Sequence, residues 1–296
     1  MFDAFTHKSF EIDKCTIDLL MAGGGPPLLL LHGFPETRAA WHKVAPQLAT
    51  EYTVILPDLP GYGDSTGPDP DAGQECHTKR AYGNIFVQLM AELGFDTFAV
   101  AGHDRGGRVA YRMALDHPEI VSRLAVLNII PTLEVMERFT FETALKMGNW
   151  ILLGQPAPLP EQLIGVSPAL YLNHILDSWA ADPEQITPEA RAEYLRCFEK
   201  ETVIAAMCAE YRCNLLDAEY DRQDRENNRR IQCPLLVLWS AGDNPGGEED
   251  TLSVWKQWAD DASGAALPGG HFLMEEAPDP TVQQMFRFFN HTRLPG

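Results

Sequence analysis

The sequence predicts an α/β fold with a mostly parallel sheet and helices on both faces. Short apolar runs of strand length alternate with segments of helical periodicity, as in folds of this class. The predicted buried strands are residues 27–31, 53–56, 97–101, 124–129 and 234–239. The predicted core helices are residues 79–93, ended by Gly94, residues 107–116, stopped before Pro118, and residues 279–290.

The alternation stops after Pro131, and no buried strand is predicted before residue 231. Helical patterns at 133–153 and 188–213 flank a proline-rich stretch at 155–160. We therefore predict a core made of residues 1–131 and 231–296, with residues 132–230 inserted as a helical cap over the sheet. A chain of 296 residues suits one large core carrying an insertion.

Composition excludes several classes of function. The net charge of −19 argues against nucleic acid or an anionic membrane as a partner. No apolar run is long enough to span a bilayer, and the first twenty residues are too charged for a signal peptide, so we expect a cytoplasmic protein. The six cysteines lack CxxC spacing, which predicts free thiols rather than a zinc site or a disulfide framework.

The predicted strand at 97–101 leads directly into Gly102-His103-Asp104-Arg105-Gly106, and a helix follows. Small residues on both sides of a central nucleophile are typical of the nucleophile elbow, in which strand and helix approach closely. The turn would place Asp104 at the helix N-terminus, where the helix dipole favours negative charge. The alternative is that Asp104 only caps the helix.

Two further segments complete the pattern. The run from His32 to Pro35 follows the first buried strand, and His271 lies in a glycine-rich loop before the last helix. The pattern predicts an oxyanion hole made by the backbone N–H groups of Phe34 and Arg105, with His271 as general base. Asp104 would be the nucleophile.

The segments HGFP (32–35), GHDRGGR (102–108), QPAPLPE (155–161) and GGHF (269–272) resemble the haloacetate dehalogenases of the α/β-hydrolase superfamily, which include fluoroacetate dehalogenase. The resemblance runs from about Pro26 to the last helix. HGxP and GHD are shared with epoxide hydrolases and are less specific. The resemblance implies the α/β-hydrolase fold, with a mostly parallel eight-stranded sheet and a helical cap insertion. A homodimer is implied by the family alone.

An aspartate nucleophile suits a saturated carbon, because its attack there produces an alkyl ester that water can cleave. Arg105 follows Asp104, and Arg108 lies one helical turn beyond it. Two guanidinium groups would bind a carboxylate and offset repulsion by the acidic protein, and the resemblance assigns both positions to the haloacid carboxylate. Epoxide hydrolases usually carry tryptophan at the first of them. The alternative is that both arginines form surface ion pairs.

By resemblance, the leaving halide would be held by Asn149, Trp150 and Tyr211. The fluoroacetate enzymes have a histidine where this chain has Asn149. Because a neutral amide stabilises developing charge less than an imidazole, we expect chloride and bromide to be released better than fluoride. The alternative for Trp150 is a packing role in the core.

A second departure concerns the acid that orients the general base. The family has aspartate where this chain has Asn128. Asparagine could orient His271 but could not stabilise its positive form. Asp243 follows the next predicted strand, and we predict that it has taken over this role. The alternative is that Asp243 is an ordinary loop residue.

The sequence therefore predicts a hydrolytic dehalogenase of a small 2-haloacid such as haloacetate. Its partners would be an organic acid and water, with no metal and no organic cofactor. The alternative enzyme is an epoxide hydrolase, for which lid tyrosines are available at Tyr171, Tyr194, Tyr211 and Tyr220. A catalytically weak, ligand-binding homologue is the alternative of another class. A serine esterase is excluded because the elbow holds no serine.

Overall fold

The computed structural model describes residues 1–70, 72–242, 245–246 and 250–290. Eight strands form one sheet in the order β1-β2-β4-β3-β5-β6-β7-β8. They are β1 (Thr6–Ile12), β2 (Cys15–Ala22), β3 (Pro27–Leu31), β4 (Thr53–Pro57), β5 (Phe98–His103), β6 (Val121–Leu127), β7 (Leu235–Ser240) and β8 (Ala262–Leu267). The pairs β1–β2 and β2–β4 are antiparallel, and the others are parallel. The predicted mostly parallel eight-stranded sheet is confirmed.

Strands β1, β2 and β3 follow one another directly, and from β3 onward the helices alternate with the strands except in one long stretch between β6 and β7. They are α1 (Ala45–Leu48), α2 (Lys79–Glu92), α3 (Asp104–Asp116), α4 (Thr132–Glu137), α5 (Phe141–Lys146), α6 (Gly148–Leu153), α7 (Leu159–Gly165), α8 (Pro168–Trp179), α9 (Pro188–Phe198), α10 (Glu201–Arg212), α11 (Asn214–Glu226), α12 (Thr251–Trp255), α13 (Leu273–Glu276) and α14 (Pro278–Asn290). Short 3₁₀ turns occupy Arg38–Trp41, Gln74–His77 and Pro183–Gln185.

The predicted buried strands are present, and β3 has the predicted bounds. Strands β1, β2 and β8 were not predicted from the sequence. The first strand is largely exposed, and β8 is the run Ala-Ser-Gly-Ala-Ala-Leu, whose residues have little preference for strands. Both therefore lack the continuous apolar run that marks a strand buried on two faces.

The helix predicted at 79–93 is α2, and Gly94 follows it with φ +84° and donates its N–H to the carbonyl of Ala91, as a helix-ending glycine does. The helix predicted to begin at Gly107 begins at Asp104. The helical pattern at 133–153 is divided into α4, α5 and α6, and the pattern at 188–213 into α9 and α10.

Residues 132–230, which are described throughout, contain α4 to α11 and the turn Pro183–Gln185. Helices thus occupy the stretch for which the sequence predicts a cap, and the division into core and cap domains stays a prediction. In the described part of the chain, no helix has both the length and the apolar character to cross a bilayer.

The register of the parallel strands places the segments that carry the candidate site residues next to one another. Leu31 is opposite Gly102 in β3 and β5, and Leu127 is opposite His103 in β5 and Leu238 in β7. Because these strands end at similar heights, the loops that follow them meet at one edge of the sheet, where ligands bind in open α/β folds.

Candidate active site

The corner between β5 and α3 holds Asp104 in a strained conformation. Its φ is +44°, a region that non-glycine residues rarely adopt. The corner is tight, because a Cβ on Gly102 would lie 2.4 Å from the carbonyl oxygen of Gly106. A Cβ on Gly106 would lie 2.3 Å from the carbonyl oxygen of His32. These contacts explain the small residues on both sides of Asp104, as in the predicted elbow.

The carboxylate of Asp104 is buried, and its two oxygens have different neighbours. Its Oδ1 accepts a hydrogen bond from the Phe34 N–H at 2.9 Å, and its Oδ2 lies 3.8 Å from Nε2 of His271. Burial alone would raise the pKa of Asp104, but the side chains around it hold it below its ordinary value. These side chains are His271, His103, Arg105 and Arg108. Asp104 is therefore an ionised carboxylate at neutral pH.

His271 is placed beside Asp104 by the loop after β8. Its backbone N–H donates to the carbonyl of Trp179 at 2.9 Å. Its ring lies between the ring of Trp179, at 4.9 Å between centroids, and that of His103, at 4.7 Å. Burial, with the nearby His103, lowers the pKa of His271 to about 3, so the ring is neutral at pH 7. Its buried Nε2 has no hydrogen-bond partner among the described residues.

Asn128 lies at the other nitrogen of His271. Its Nδ2 is 2.9 Å from Nδ1 of His271, and its Oδ1 accepts the Ser240 N–H at 2.9 Å. The structure thus places Asn128 where it orients the imidazole, one of the two roles considered from the sequence. Asp243, the other candidate for this role, lies outside the described residues, and its assignment stays a prediction.

His103 is a site residue that the sequence argument missed. Its Nδ1 lies 2.9 Å from Oε2 of Glu36, and its Nε2 lies 2.8 Å from the carbonyl oxygen of His271. Burial opposes a charge here, but Glu36 raises the pKa of His103 above its ordinary value. With an acceptor at each ring nitrogen, His103 is a buried cation beside Asp104. Glu36 directly follows the HGFP segment, but it lies far from His103 in the chain. The local sequence therefore did not indicate that the two side chains pair.

Arg105 is fully buried and is already paired with a protein carboxylate. Its Nε lies 2.9 Å from both carboxylate oxygens of Glu210. Its Nη2 donates to Oε1 of Glu210 at 2.5 Å and to Oδ1 of Asn214 at 2.8 Å. Its guanidinium lies 4.0 Å from the ring centroid of Tyr211. Of its nitrogens, Nη1 is buried without a partner in the described residues. As far as the described residues show, this edge of Arg105 is the one left to meet a ligand.

Arg108 is also buried, and it is bound to the backbone that leads into the insertion. Its Nη1 donates to the carbonyl of Ile130 at 3.0 Å and to Oγ1 of Thr132 at 3.1 Å. Its guanidinium lies 4.8 Å from the ring centroid of Trp150, and its buried Nε lacks a partner among the residues described. The interpretation of both arginines as surface ion pairs is therefore wrong, because both side chains are inside the protein.

A buried basic residue, Lys79, shares the Glu210 carboxylate with Arg105. Its ammonium group contacts Glu210 and lies 3.3 Å from Oδ2 of Asp217. Burial, with the nearby Arg105, lowers the pKa of Lys79 to about 7. Glu210 thus lies between Arg105 and Lys79, and the Lys79 amine is only partly protonated at neutral pH. The signal in the sequence was one acidic residue inside the apolar run of α10.

The predicted halide-site residues lie together at the insertion. The side-chain amide of Asn149 donates to the hydroxyl oxygen of Tyr211 at 3.0 Å. The rings of Trp150 and Tyr211 meet edge-on, with centroids 6.4 Å apart and planes at 89°. Tyr211 also packs against the ring of Phe34, at 5.2 Å between centroids. Because Tyr211 accepts from Asn149, its own O–H is free to donate elsewhere.

Two of the four tyrosines considered for an epoxide hydrolase have other contacts. Tyr194 donates its O–H to the buried Glu275 at 2.6 Å, and Tyr220 packs against the guanidinium of Arg80 at 4.0 Å. The hydroxyl of Tyr171 is buried without a partner in the described part of the chain. In the described part of the chain, Glu275 therefore uses the O–H of Tyr194, whereas Tyr171 and Tyr211 each retain a hydroxyl donor. The contact of Tyr220 with Arg80 involves its ring and not its hydroxyl.

Among the described residues, two clusters of mostly acidic side chains are close enough together to hold a metal ion, but both lie away from Asp104. Their aspartates are already paired with basic side chains. Asp18 and Asp58 share the guanidinium of Arg38, and Asp64 binds Arg196 and Lys200. The catalytic candidates Asp104 and His271 belong to neither group.

Comparison with known proteins agrees with this architecture. A family model described as the alpha/beta hydrolase fold matches residues 26–278. A fluoroacetate dehalogenase from Burkholderia sp is 38% identical over 99% of this chain and 96% of its own length. A soluble epoxide hydrolase from Corynebacterium sp. (strain C12) is 31% identical over 98% of this chain and 99% of its own. The solved structure of a protein assigned to the alpha/beta hydrolases, from Nostoc sp PCC 7120, is 44% identical, with a TM-score of 0.95 over 99% of this chain and 100% of that one.

Proposed function

Because this chain belongs to the α/β-hydrolase family, in which it is similar to a fluoroacetate dehalogenase and to epoxide hydrolases, we propose that it is a hydrolytic dehalogenase of small 2-haloacids such as haloacetate. The observation that carries the proposal is the placement of an ionised, buried Asp104 between the Phe34 N–H and His271, with free N–H groups of two buried arginines nearby.

The first step is displacement of halide by Asp104. Oδ1 is bound to the Phe34 N–H, so Oδ2 is the oxygen available to attack the carbon that bears the halogen. The C–O bond forms as the carbon–halogen bond breaks, and the halide leaves with the bonding electron pair. The product is an ester of Asp104. The lowered pKa of Asp104 keeps the nucleophile ionised.

Substrate binding uses one N–H group from each arginine. Glu210 occupies Nε and Nη2 of Arg105, so the free Nη1 of Arg105 and the free Nε of Arg108 would hold the carboxylate of the haloacid. Buried N–H groups without partners cost free energy, which a bound carboxylate would recover through charge-assisted hydrogen bonds. These cations also offset the repulsion of an anionic substrate by a chain of net charge −19.

The second step is hydrolysis of the ester. His271 Nε2 would take a proton from water as the water oxygen attacks the Asp104 carboxyl carbon. The developing negative charge falls on Oδ1, where the Phe34 N–H already donates and the Arg105 N–H, in the first turn of α3, would be the second donor. As this intermediate collapses, the C–O bond to the substrate breaks and His271 returns its proton to the leaving alkoxide. The 2-hydroxyacid is released, and loss of the remaining carboxyl proton restores the Asp104 carboxylate.

Halide departure would be assisted by Asn149, Trp150 and Tyr211. One amide N–H of Asn149 is already used by Tyr211, so this amide has less to offer a leaving anion than a histidine would. We therefore keep the expectation that chloride and bromide leave more readily than fluoride.

The test is halide release from chloroacetate, bromoacetate and fluoroacetate, measured by ion chromatography over time, with styrene oxide as a control substrate. We expect at least one equivalent of chloride or bromide per chain and little fluoride. The Asp104→Ala variant should release none. Equal halide release by wild type and this variant would refute the proposal.

An epoxide hydrolase is the second candidate, and the hydroxyls of Tyr171 and Tyr211 favour it. Phenolic O–H groups can donate a proton to the oxygen of an opening epoxide, and that of Tyr171 is buried without a partner among the described residues. Formation of diol from styrene oxide, without halide release from any haloacid, would select this function.

A further inference from the structure

The hydrogen bonds of Asn128 have a defined direction. The Ser240 backbone N–H can only donate, and it lies 2.9 Å from Oδ1 of Asn128. The other end of the amide, Nδ2, therefore faces Nδ1 of His271 at 2.9 Å. An amide nitrogen is a donor only, so Nδ1 of His271 must be the acceptor. In a neutral imidazole with Nδ1 as acceptor, the proton is on Nε2.

Asn128 cannot easily turn its amide over. Flipping it would place its NH₂ group against the Ser240 N–H, donor against donor, at a buried position. The backbone of Asn128 is fixed as well, because its own N–H donates to the carbonyl of Leu238 at 2.7 Å with φ at +56°. An aspartate here would differ, because both of its oxygens accept.

From this contact we propose that Asn128 keeps the proton on Nε2 of His271 and thereby makes hydrolysis of the Asp104 ester the slow step. The inference rests on the proposed function and specifies its kinetics. A general base needs the lone pair of Nε2, which faces Asp104 Oδ2 at 3.8 Å. With the proton already on Nε2, this nitrogen cannot accept another from water. The imidazolium is disfavoured too, since its Nδ1–H would oppose the amide donor.

Displacement of halide does not need His271, so the two steps are affected differently. Asp104 attacks as the carboxylate, and its contact with the Phe34 N–H is independent of the imidazole tautomer. We therefore expect one rapid displacement of halide, which leaves a covalent ester on Asp104, followed by slow hydrolysis of that ester. Asn128 acts through His271 and is a positioning residue.

The first experiment uses the wild-type chain mixed rapidly with chloroacetate. We expect a burst of one equivalent of chloride per chain, with an adduct on Asp104 found by mass spectrometry of proteolytic peptides. If no chloride is released and no ester forms, the proposed function itself fails. If chloride is released steadily without a burst and no ester accumulates, hydrolysis is not the slow step, so the proposed function stands and the role of Asn128 is refuted. If the ester forms but chloride release continues at the burst rate, the proposed function stands and the role of Asn128 is refuted.

The second experiment reads the tautomer directly in the free wild-type protein, by ¹⁵N chemical shifts of its histidine rings, with His271 assigned from the His271→Gln variant. We expect a protonated Nε2 and an unprotonated Nδ1. A protonated Nδ1 would overturn the inference whichever residue accepts that proton, Asp243 included.

The third experiment restores an acceptor with Asn128→Asp. We expect steady-state turnover to rise on the order of 10²-fold or more and the burst to disappear, while the rate of ester formation stays within about twofold of wild type. Asn228→Asp is the matched control, because Asn228 is exposed and also has positive φ, +52°. It should leave both rates unchanged. A folded Asn128→Asp protein with unchanged turnover would refute the inference. If this variant does not fold, the ¹⁵N measurement on the wild-type protein tests the inference instead.

Discussion

Glu210 accepts hydrogen bonds from Nε and Nη2 of Arg105, the residue that directly follows Asp104. The guanidinium that the sequence assigns to the substrate is therefore shared with a protein carboxylate before any substrate arrives. Lys79 contacts the same carboxylate from the other side. This arrangement limits how strongly the site attracts an anion, because part of the charge of Arg105 is already neutralised.

Glu210→Gln should strengthen the binding of haloacids. The substitution keeps an oxygen acceptor but removes the buried negative charge, so Arg105 is more available to a substrate carboxylate. We expect KM for chloroacetate to fall about 3- to 10-fold, with a loss of stability of about 2 kcal/mol from the less compensated cations. Steady-state kinetics and denaturant unfolding measure the two effects. Glu219→Gln, which removes a half-exposed acid paired with Arg222, is the control and should change neither. A raised KM in Glu210→Gln would show that Glu210 supports binding.

Ester formation should be insensitive to pH over the neutral and mildly acidic range. Burial raises the pKa of Asp104, but the surrounding cationic and imidazole groups outweigh burial and hold it below the ordinary 3.8. A carboxyl with a depressed pKa is ionised at every pH above it, so the nucleophile is lost only in strong acid. We expect the burst rate constant for chloride to be constant from about pH 5 to pH 8, with circular dichroism confirming the fold at each pH. A fall in the burst rate constant below about pH 6 would contradict this. It would mean that burial raises the pKa of Asp104 more than the neighbouring groups lower it.

Gly33→Ala should slow ester formation without unfolding the protein. An added Cβ at Gly33 would lie 2.6 Å from Cβ of Asp104 and 3.1 Å from its Oδ1, so the nucleophile must move away from the Phe34 N–H. We expect the burst rate constant to fall about 10²-fold, since a displacement of about 1 Å costs this much. Gly24→Ala is the matched control, because nothing lies within 4 Å of its added Cβ. Equal burst rates in the two variants would contradict this placement of Asp104.

Asn149→His should shift the halide preference toward fluoride. An imidazole at this buried position could approach the cationic form and donate more strongly to a departing anion than the amide that now binds Tyr211. We expect the ratio of the fluoride to the chloride burst rate constant to rise about tenfold or more. Asn149→Gln, which keeps an amide, is the control and should leave the ratio near that of wild type. If the ratio rises equally in both variants, the halide preference depends on the shape of the pocket and not on the strength of the donor at position 149.

Much of this site could be predicted from local sequence. The elbow is a local feature, because small residues around Asp104 follow from contacts of 2.3–2.4 Å within and beside one turn. The buried strands β3, β5, β6 and β7 are continuous apolar runs, and their parallel alignment brings the segments after them together. Asp104, Phe34 and His271 were found for this reason.

Tertiary structure decided the partners of each polar group. Glu210 and Arg105, like Glu36 and His103, are far apart in the chain, and nothing in local sequence shows which buried charges meet. The direction of the hydrogen bond between Asn128 and His271 likewise depends on a third group, the Ser240 N–H. The sequence by itself determined which residues can do chemistry, since residue type and spacing set the elbow. Folding decided their protonation and availability, because these depend on burial and on neighbours brought together from distant segments.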